Sequence, residues 1–230
     1  MNNVRANDER IDNLEVLART AMERSSLHGL LAAIFLREVS AEQLNSFRSA
    51  GFVEVFSGLG IDLGPAFAHA PEDRLLEDLA VEYAALFLGP GGHISPHESA
   101  HLPDDGTLWG QASGEVKAYI EAAGFTYRAD FHGIPDHIGV ELEFMADLAR
   151  REAIAWQDED FTQAVNCLSY QKKFLSEHLI KWVGPFCAKV MDLAELPFYR
   201  EIARLTAGFI ESEQQDMNLS KKSGQHLRDY

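Results

Sequence analysis

The stretch Ile134–Leu148, IPDHIGVELEFMADL, decides how the rest of the chain is read. Pro135 presets the backbone for a turn or a first helical position. Asp136 can cap a helix or lie in its first turn, where the N-terminal dipole favours an anion. Beyond it only Gly139 interrupts before about Gln157, which leaves room for about five helical turns. Winding the segment at about 100° per residue puts Ile138, Leu142, Met145, Leu148, Ala149, Ala153 and Trp156 on one side, with Val140 and Phe144 widening the stripe. Asp136, Glu143, Asp147 and Arg150 fall opposite, on the expected wet face. His137 and Glu141 break the division: they lie one turn apart inside the apolar sector. A carboxylate and an imidazole placed there must be hydrogen-bonded or charge-paired, because unpaired burial costs several kcal/mol. They either pin a neighbouring loop as a satisfied core pair or line a polar pocket.

Composition narrows the class. Hydrophobic residues make up 46% of the 230, with 14 Phe, enough for a substantial core. No apolar run reaches the roughly 18 residues of a spanning helix. The opening MNNVRANDERIDNLEVL has no apolar signal region, so stable membrane insertion is not expected and a cytoplasmic location is. Cys167 and Cys187 stand in neither a C-x-x-C nor a zinc spacing and read as buried small hydrophobes. The charge count, 20 − 36 = −16, disfavours nucleic acid and anionic membrane and suits a cationic partner.

Periodicity along the chain is helical throughout. Asp8–Val39 reads as one long helix or two. Ser40-Ala-Glu-Gln43 has the capping-box pattern and opens a short helix. Short helices or turns follow, punctuated by Gly51, Gly58, Gly60 and Gly64. Pro71-Glu72-Asp73 starts a helix that ends at Gly89. Residues 89–107, GPGGHISPHESAHLPDDGT, are too rich in Gly, Pro and His for a regular element, and a loop of that length is usually functional or mobile. Further helices are expected over Leu108–Ala123, Phe161–Trp182 with a continuation through Pro185 to about Leu193, and Pro197 to about Glu213. The residues after Asp216 are polar and expected to fray. No strand, hairpin or repeat is apparent. The expectation is one all-α domain over residues 1–230, of about nine to eleven helices, with its core in residues 25–213 and a polar tail at 217–230.

Three kinds of chemistry are conceivable on these residues. His93, His97 and His101 with Glu98 crowd the long loop, and His132 and His137 come later. Histidines four apart can bind Zn²⁺ or Ni²⁺ on a helix, which would make this a His/Glu-rich metal-binding protein. Gly91-Gly92 and Pro96 argue against a helix there, and neither H-E-x-x-H nor a partner cysteine is present, so no metal is assigned. Acid–base catalysis by Glu141 with His137 is chemically possible, since burial moves both towards neutrality. No nucleophile motif, phosphate-cradling loop or cofactor fingerprint accompanies them, so neither an enzyme nor a cofactor is expected. The third possibility is a peptide groove, in which Glu98, Asp136 and Glu141, bordered by Phe87, Met145 and the loop, receive a cationic peptide with an apolar stretch.

Several blocks, in order, resemble one family. They are Glu82-Tyr83-Ala-Ala-Leu-Phe87 followed by Gly89-Pro90, then Ser95-Pro96-His97-Glu98-Ser99, then Pro135-Asp136-His137-Ile138 leading into Glu141-Leu142-Glu143-Phe144-Met145. His178-Leu179 before Trp182 and Pro197-Phe198-Tyr199 complete the set. Together they are similar to the TorD/DmsD/NarJ family of molybdoenzyme chaperones, over about residues 25–213. The resemblance implies an all-helical TorD-like fold that binds the twin-arginine signal peptide or precursor of a molybdoenzyme catalytic subunit. It further implies that the protein supports cofactor insertion before export and catalyses no reaction. Carried over, the peptide-binding residues are Pro96, His97, Glu98, Ser99, Pro135, Asp136, His137 and Glu141. His97 departs from the Tyr more usual in the family, and Gly91-Gly92-His93 lengthens the loop. A helical fold of this kind is compatible with a monomer or a domain-swapped dimer.

Overall fold

The computed structural model describes residues 2–89, 93–102, 110–126 and 133–226, with side chains for those between 12 and 216. Ten α-helices follow one another in the described residues: α1 (Asn2–Leu36), α2 (Ala41–Phe47), α3 (Ala50–Gly58), α4 (Gly64–His69), α5 (Glu72–Tyr83), α6 (Gln111–Ala122), α7 (Ile138–Gln157), α8 (Phe161–Phe174), α9 (Ile180–Leu193) and α10 (Pro197–His226). The only strand-like feature among them is one isolated bridge, His97 to His137. The N-terminal periodicity resolves into a single helix, and the backbone of α10 stays helical through His226 instead of fraying after Asp216.

Local signals account for most boundaries. The Ser40 hydroxyl accepts from Gln43 N at 3.2 Å and the Gln43 side chain accepts from Ser40 N at 2.9 Å, closing the expected capping box. Asp160 caps α8 through Gln163 N at 3.0 Å. Gly124, at φ 77°, takes the left-handed conformation that ends α6. Two π-helical turns depart from simple periodicity. Ala84–Leu88 closes α5, and Leu175–Leu179 joins α8 to α9 without a break, so Phe161–Leu193 is one long rod with Pro185 inside it. Such turns often mark functional positions.

α7 is the central element. Its whole predicted apolar stripe is buried, from Ile138 and Leu142 to Ala153 and Trp156, and each fully buried Leu or Met contributes about 1.5–3 kcal/mol. α1 lies along one side of it and α8 along another. α1 comes close at Gly139, where a Cβ would clash with Leu36 Cγ and meet the Ala32 carbonyl at 3.1 Å. A side chain at 139 would have to displace the Leu36 side chain and crowd the Ala32 carbonyl.

The far end of α7 carries a buried polar knot. Glu152 Oε2 accepts from Arg24 Nη2 at 2.5 Å and from Gln171 Nε2 at 2.8 Å, while Oε1 accepts from Trp156 Nε1 at 3.1 Å. Arg24 also donates to Gln171 Oε1 at 3.0 Å and lies 3.6 Å from Glu213 on α10. Glu213 in turn is 3.0 Å from His28 Nε2. This knot ties α1, α7, α8 and α10 together.

Candidate functional site

At the head of α7, residues Ser95–Ser99 run antiparallel to the Ile134–Ile138 lead-in. Glu98 N donates to the Asp136 carbonyl at 2.9 Å and Ile138 N donates to the Pro96 carbonyl at 2.8 Å. These two bonds flank His97 and His137, which therefore face each other as a pair without hydrogen bonds between them. Pro96 fits because this register uses only its carbonyl. The strap is rooted on the first π-turn by Ile94 N donating to Leu86 O at 2.7 Å.

The side chains tighten the contact. Asp136 is fully buried and accepts from Ser99 N at 2.9 Å through Oδ2. The helix cap is His137 instead, whose Nδ1 accepts from Gly139 N at 3.0 Å. An accepting Nδ1 leaves the proton on Nε2, so the ring is the neutral tautomer. Burial, and then the neighbouring His97, push the His137 pKa down to about 4. Burial lowers His97 and His101 as well. The rings of His97 and His137 meet edge to face at 5.0 Å.

Beneath the strap lie two more carboxyls. Glu98, almost fully buried, pairs with His178 Nδ1 at 2.9 Å. Glu141, fully buried, accepts from Trp182 Nε1 at 3.3 Å. His178 belongs to the second π-turn and Trp182 follows four residues later, so one helix face serves both glutamates. Burial pushes the Glu141 pKa well up, and the charge of Glu98 beside it pushes it further. Both effects disfavour a charge on Glu141. Three buried atoms here face no donor or acceptor: Asp136 Oδ1, Glu141 Oε1 and Ser99 Oγ. The cluster has more acceptors than donors.

The structure brings all eight expected residues together, though in different roles from those the helical wheel assigned. His137 and Glu141 do not pair: the imidazole caps α7 and the carboxyl turns to Trp182 and Glu98. Asp136 is not on the wet face, because it precedes the helix and the wheel does not extend to it. Phe87 and Met145 are buried in the core. Pro96, Glu98, Ser99, Pro135, Asp136 and Glu141 are all buried, leaving His97 and His137 partly open. His178, Trp182, His101 and Lys189 complete the cluster; none is among the expected peptide-binding residues, and His101 entered only as a possible metal ligand. His101 stacks on Trp182 at 5.4 Å, its Nε2 donates to the Ser95 carbonyl at 2.8 Å, and Lys189 Nζ lies 3.5 Å from its Nδ1. The available signal was the spacing: His178 and Trp182, like His137 and Glu141, place polar groups one turn apart on an apolar face. No group of three or more His, Cys, Asp or Glu among the described residues is placed to hold a metal ion. His132 lies outside the described residues.

A separate apolar groove of about 710 Å³ opens between α1 and α3, lined by Met22, Leu27, Leu30, Phe52, Val55 and Leu59 among others. No helix among the described residues is long and apolar enough to cross a membrane.

Comparison with known proteins agrees with this architecture. Residues 41–188 match the family described as nitrate reductase delta subunit. The chain is similar to the chaperone protein TorD of Shewanella pealeana, 26% identical over 207 residues that cover 83% of this chain and 87% of the relative. It is equally similar to TorD of Vibrio vulnificus, 26% identical over 199 residues covering 81% and 91%. Among solved structures, a redox enzyme maturation protein from Archaeoglobus fulgidus shares the fold, with a TM-score of 0.52 and 22% identity over 82% of this chain and 93% of that one. With the family match spanning well over half of its length, the chain belongs to the nitrate reductase delta subunit family, within the TorD/DmsD/NarJ group of molybdoenzyme maturation chaperones.

Proposed function

We propose that this protein is a cytoplasmic chaperone that captures the twin-arginine signal peptide, or the precursor, of a molybdoenzyme catalytic subunit. It holds the client while cofactor is inserted and before export, and it turns over no substrate. The observation that carries this reading is the acceptor-rich cluster of Glu98, Asp136 and Glu141 at the head of α7, in a chain of net charge −16. An Arg pair offers the donors such a cluster lacks, as planar forks that match carboxylates. The proposed contact residues are Pro96, His97, Glu98, Ser99, Pro135, Asp136, His137 and Glu141. Those partly open now, His97 and His137, meet the client first.

Calorimetry on the purified chain at moderate salt tests the proposal. A peptide with Arg-Arg followed by an apolar run is expected to bind, and its Lys-Lys counterpart to bind less well, because an ammonium is a point charge without the fork. Equal binding of a scrambled peptide of the same composition defeats the proposal.

A further inference from the structure

If the acids at the head of α7 receive a client, they cannot do so as they stand. Glu98, Ser99, Asp136 and Glu141 are buried, and the strap itself covers them. The strap's hold is specific and short. It comprises Glu98 N on Asp136 O, Ser99 N on Asp136 Oδ2, Ile138 N on Pro96 O, His101 Nε2 on Ser95 O and the Glu98–His178 pair. What it closes over is poorly satisfied, because Asp136 Oδ1, Glu141 Oε1 and Ser99 Oγ have no partners. A buried acceptor without a donor gains little from staying closed and gains much from a donor-rich group.

We propose that Ser95–Ser99 is a latch, and that an arginine side chain of the client replaces it over Asp136 and Glu141. In the closed state a Ser99 N–H occupies one oxygen of Asp136. In the open state a guanidinium, with five donors, spans both oxygens and reaches Glu141 Oε1. Client affinity is then reduced by the fraction of chain whose latch is shut. The latch itself carries His97 and Glu98, and facing it are Asp136, Glu141, His137 and His178, with His101 and Lys189 at its outer edge. This inference rests on the peptide-binding reading for the identity of the occupant, but the latch can be tested without a peptide.

Amide hydrogen exchange on the full chain separates the two. In the free protein, the Glu98, Ser99 and Ile138 amides should share one local opening and exchange roughly 100-fold or more faster than the core amides of α7, such as Leu148. Exchange of these three only at the core rate overturns the latch. The His97→Cys/His137→Cys pair provides a second measurement, because a facing pair without mutual hydrogen bonds has the Cα spacing a disulfide needs. Oxidation should slow Ser99 exchange to the core rate and reduction should restore it; no change on oxidation counts against the latch. Adding the Arg-Arg peptide to the wild-type chain should speed exchange of Ser99 and Ile138 by about tenfold or more. Slowed exchange in the complex means the peptide sits on a closed strap and overturns the inference. A chain that shows the local opening yet binds no peptide overturns the functional reading while upholding the latch.

Discussion

Glu152 and Glu141 stand on the same helix, about three turns or ~16 Å apart, and both are shut away from solvent. Both oxygens of Glu152 are met: Arg24, Gln171 and Trp156 all donate to it, and Arg24 and His28 hold Glu213 beside it, leaving His28 Nδ1 as a buried atom without a partner. Burial alone pushes Glu213 up, but His28 and Arg24 together outweigh that and keep its pKa below the usual carboxylate range. Around Glu141 the side-chain donor among the described residues is Trp182, and a second carboxyl, Glu98, stands opposite. At one end of α7 the carboxylates are supplied with donors; at the other the acceptors outnumber them. A closed knot fixes helices in place, whereas a cluster short of donors is suited to receive them from elsewhere.

The largest effect should come from breaking the knot. Arg24→Met leaves Glu152 and Glu213 buried without their cation and should cost about 3–5 kcal/mol in urea unfolding at pH 7. A loss below about 1 kcal/mol would mean that Arg24 does not hold the two carboxylates in the way described.

The head of α7 should reveal itself in acid. The folded pKa of His137, about 4, lies below the unfolded value of 6.5, so the unfolded chain takes the proton first. The stability this represents is fully present above pH 6.5 and is lost as pH falls towards 4, up to about 3 kcal/mol at 1.36 kcal/mol per unit. His137→Asn keeps a capping acceptor for Gly139 and cannot titrate. Its unfolding free energy should be nearly flat over that window apart from the contributions of other groups; an unchanged slope assigns the effect elsewhere.

Neutral isosteres give the most direct contrast between the two ends. Glu213→Gln removes a charge that Arg24 and His28 are placed to meet, and should cost about 1.5–3 kcal/mol at pH 7. Glu141→Gln should stay within about 1 kcal/mol of wild type at pH 7, and should gain on it as pH rises. The sign follows from the raised folded pKa: the Glu141 contribution is full below about 4.5 and is lost as pH rises through the folded value. Thermal melts from pH 5 to 9 on both variants check this, and equal costs at the two positions would erase the distinction.

The smallest contrast is between two indoles. Trp182 is the side-chain N–H donor to Glu141, whereas Trp156 is one of several to Glu152. Trp182→Phe should therefore exceed Trp156→Phe by roughly 1 kcal/mol. The double variant Trp182→Phe/Glu141→Leu should recover part of that difference, since no acceptor is then left stranded.

The sequence by itself determined the helices and their buried faces. A 3.6-residue period over α1, α5, α7 and α10 needs only local geometry, and the caps at Ser40 and Asp160 bond within three residues of themselves. It also determined which stretches meet in the site, because the ordered blocks carrying Pro96–Ser99 and Pro135–Glu141 resemble a known family. The partners of each side chain were decided only by the tertiary structure. His137 and Glu141 are neighbours on a wheel, yet the first bonds Gly139 and the second answers to Trp182 and Glu98, from 41 residues further along and 43 back. Asp136 looked exposed because a wheel says nothing of a residue ahead of the helix, and it is the strap that buries it. The charge state of Glu141, likewise, depends on how much water the fold removes and on a second carboxyl brought from another segment. Both are long-range electrostatic and packing terms, and periodicity carries no record of them.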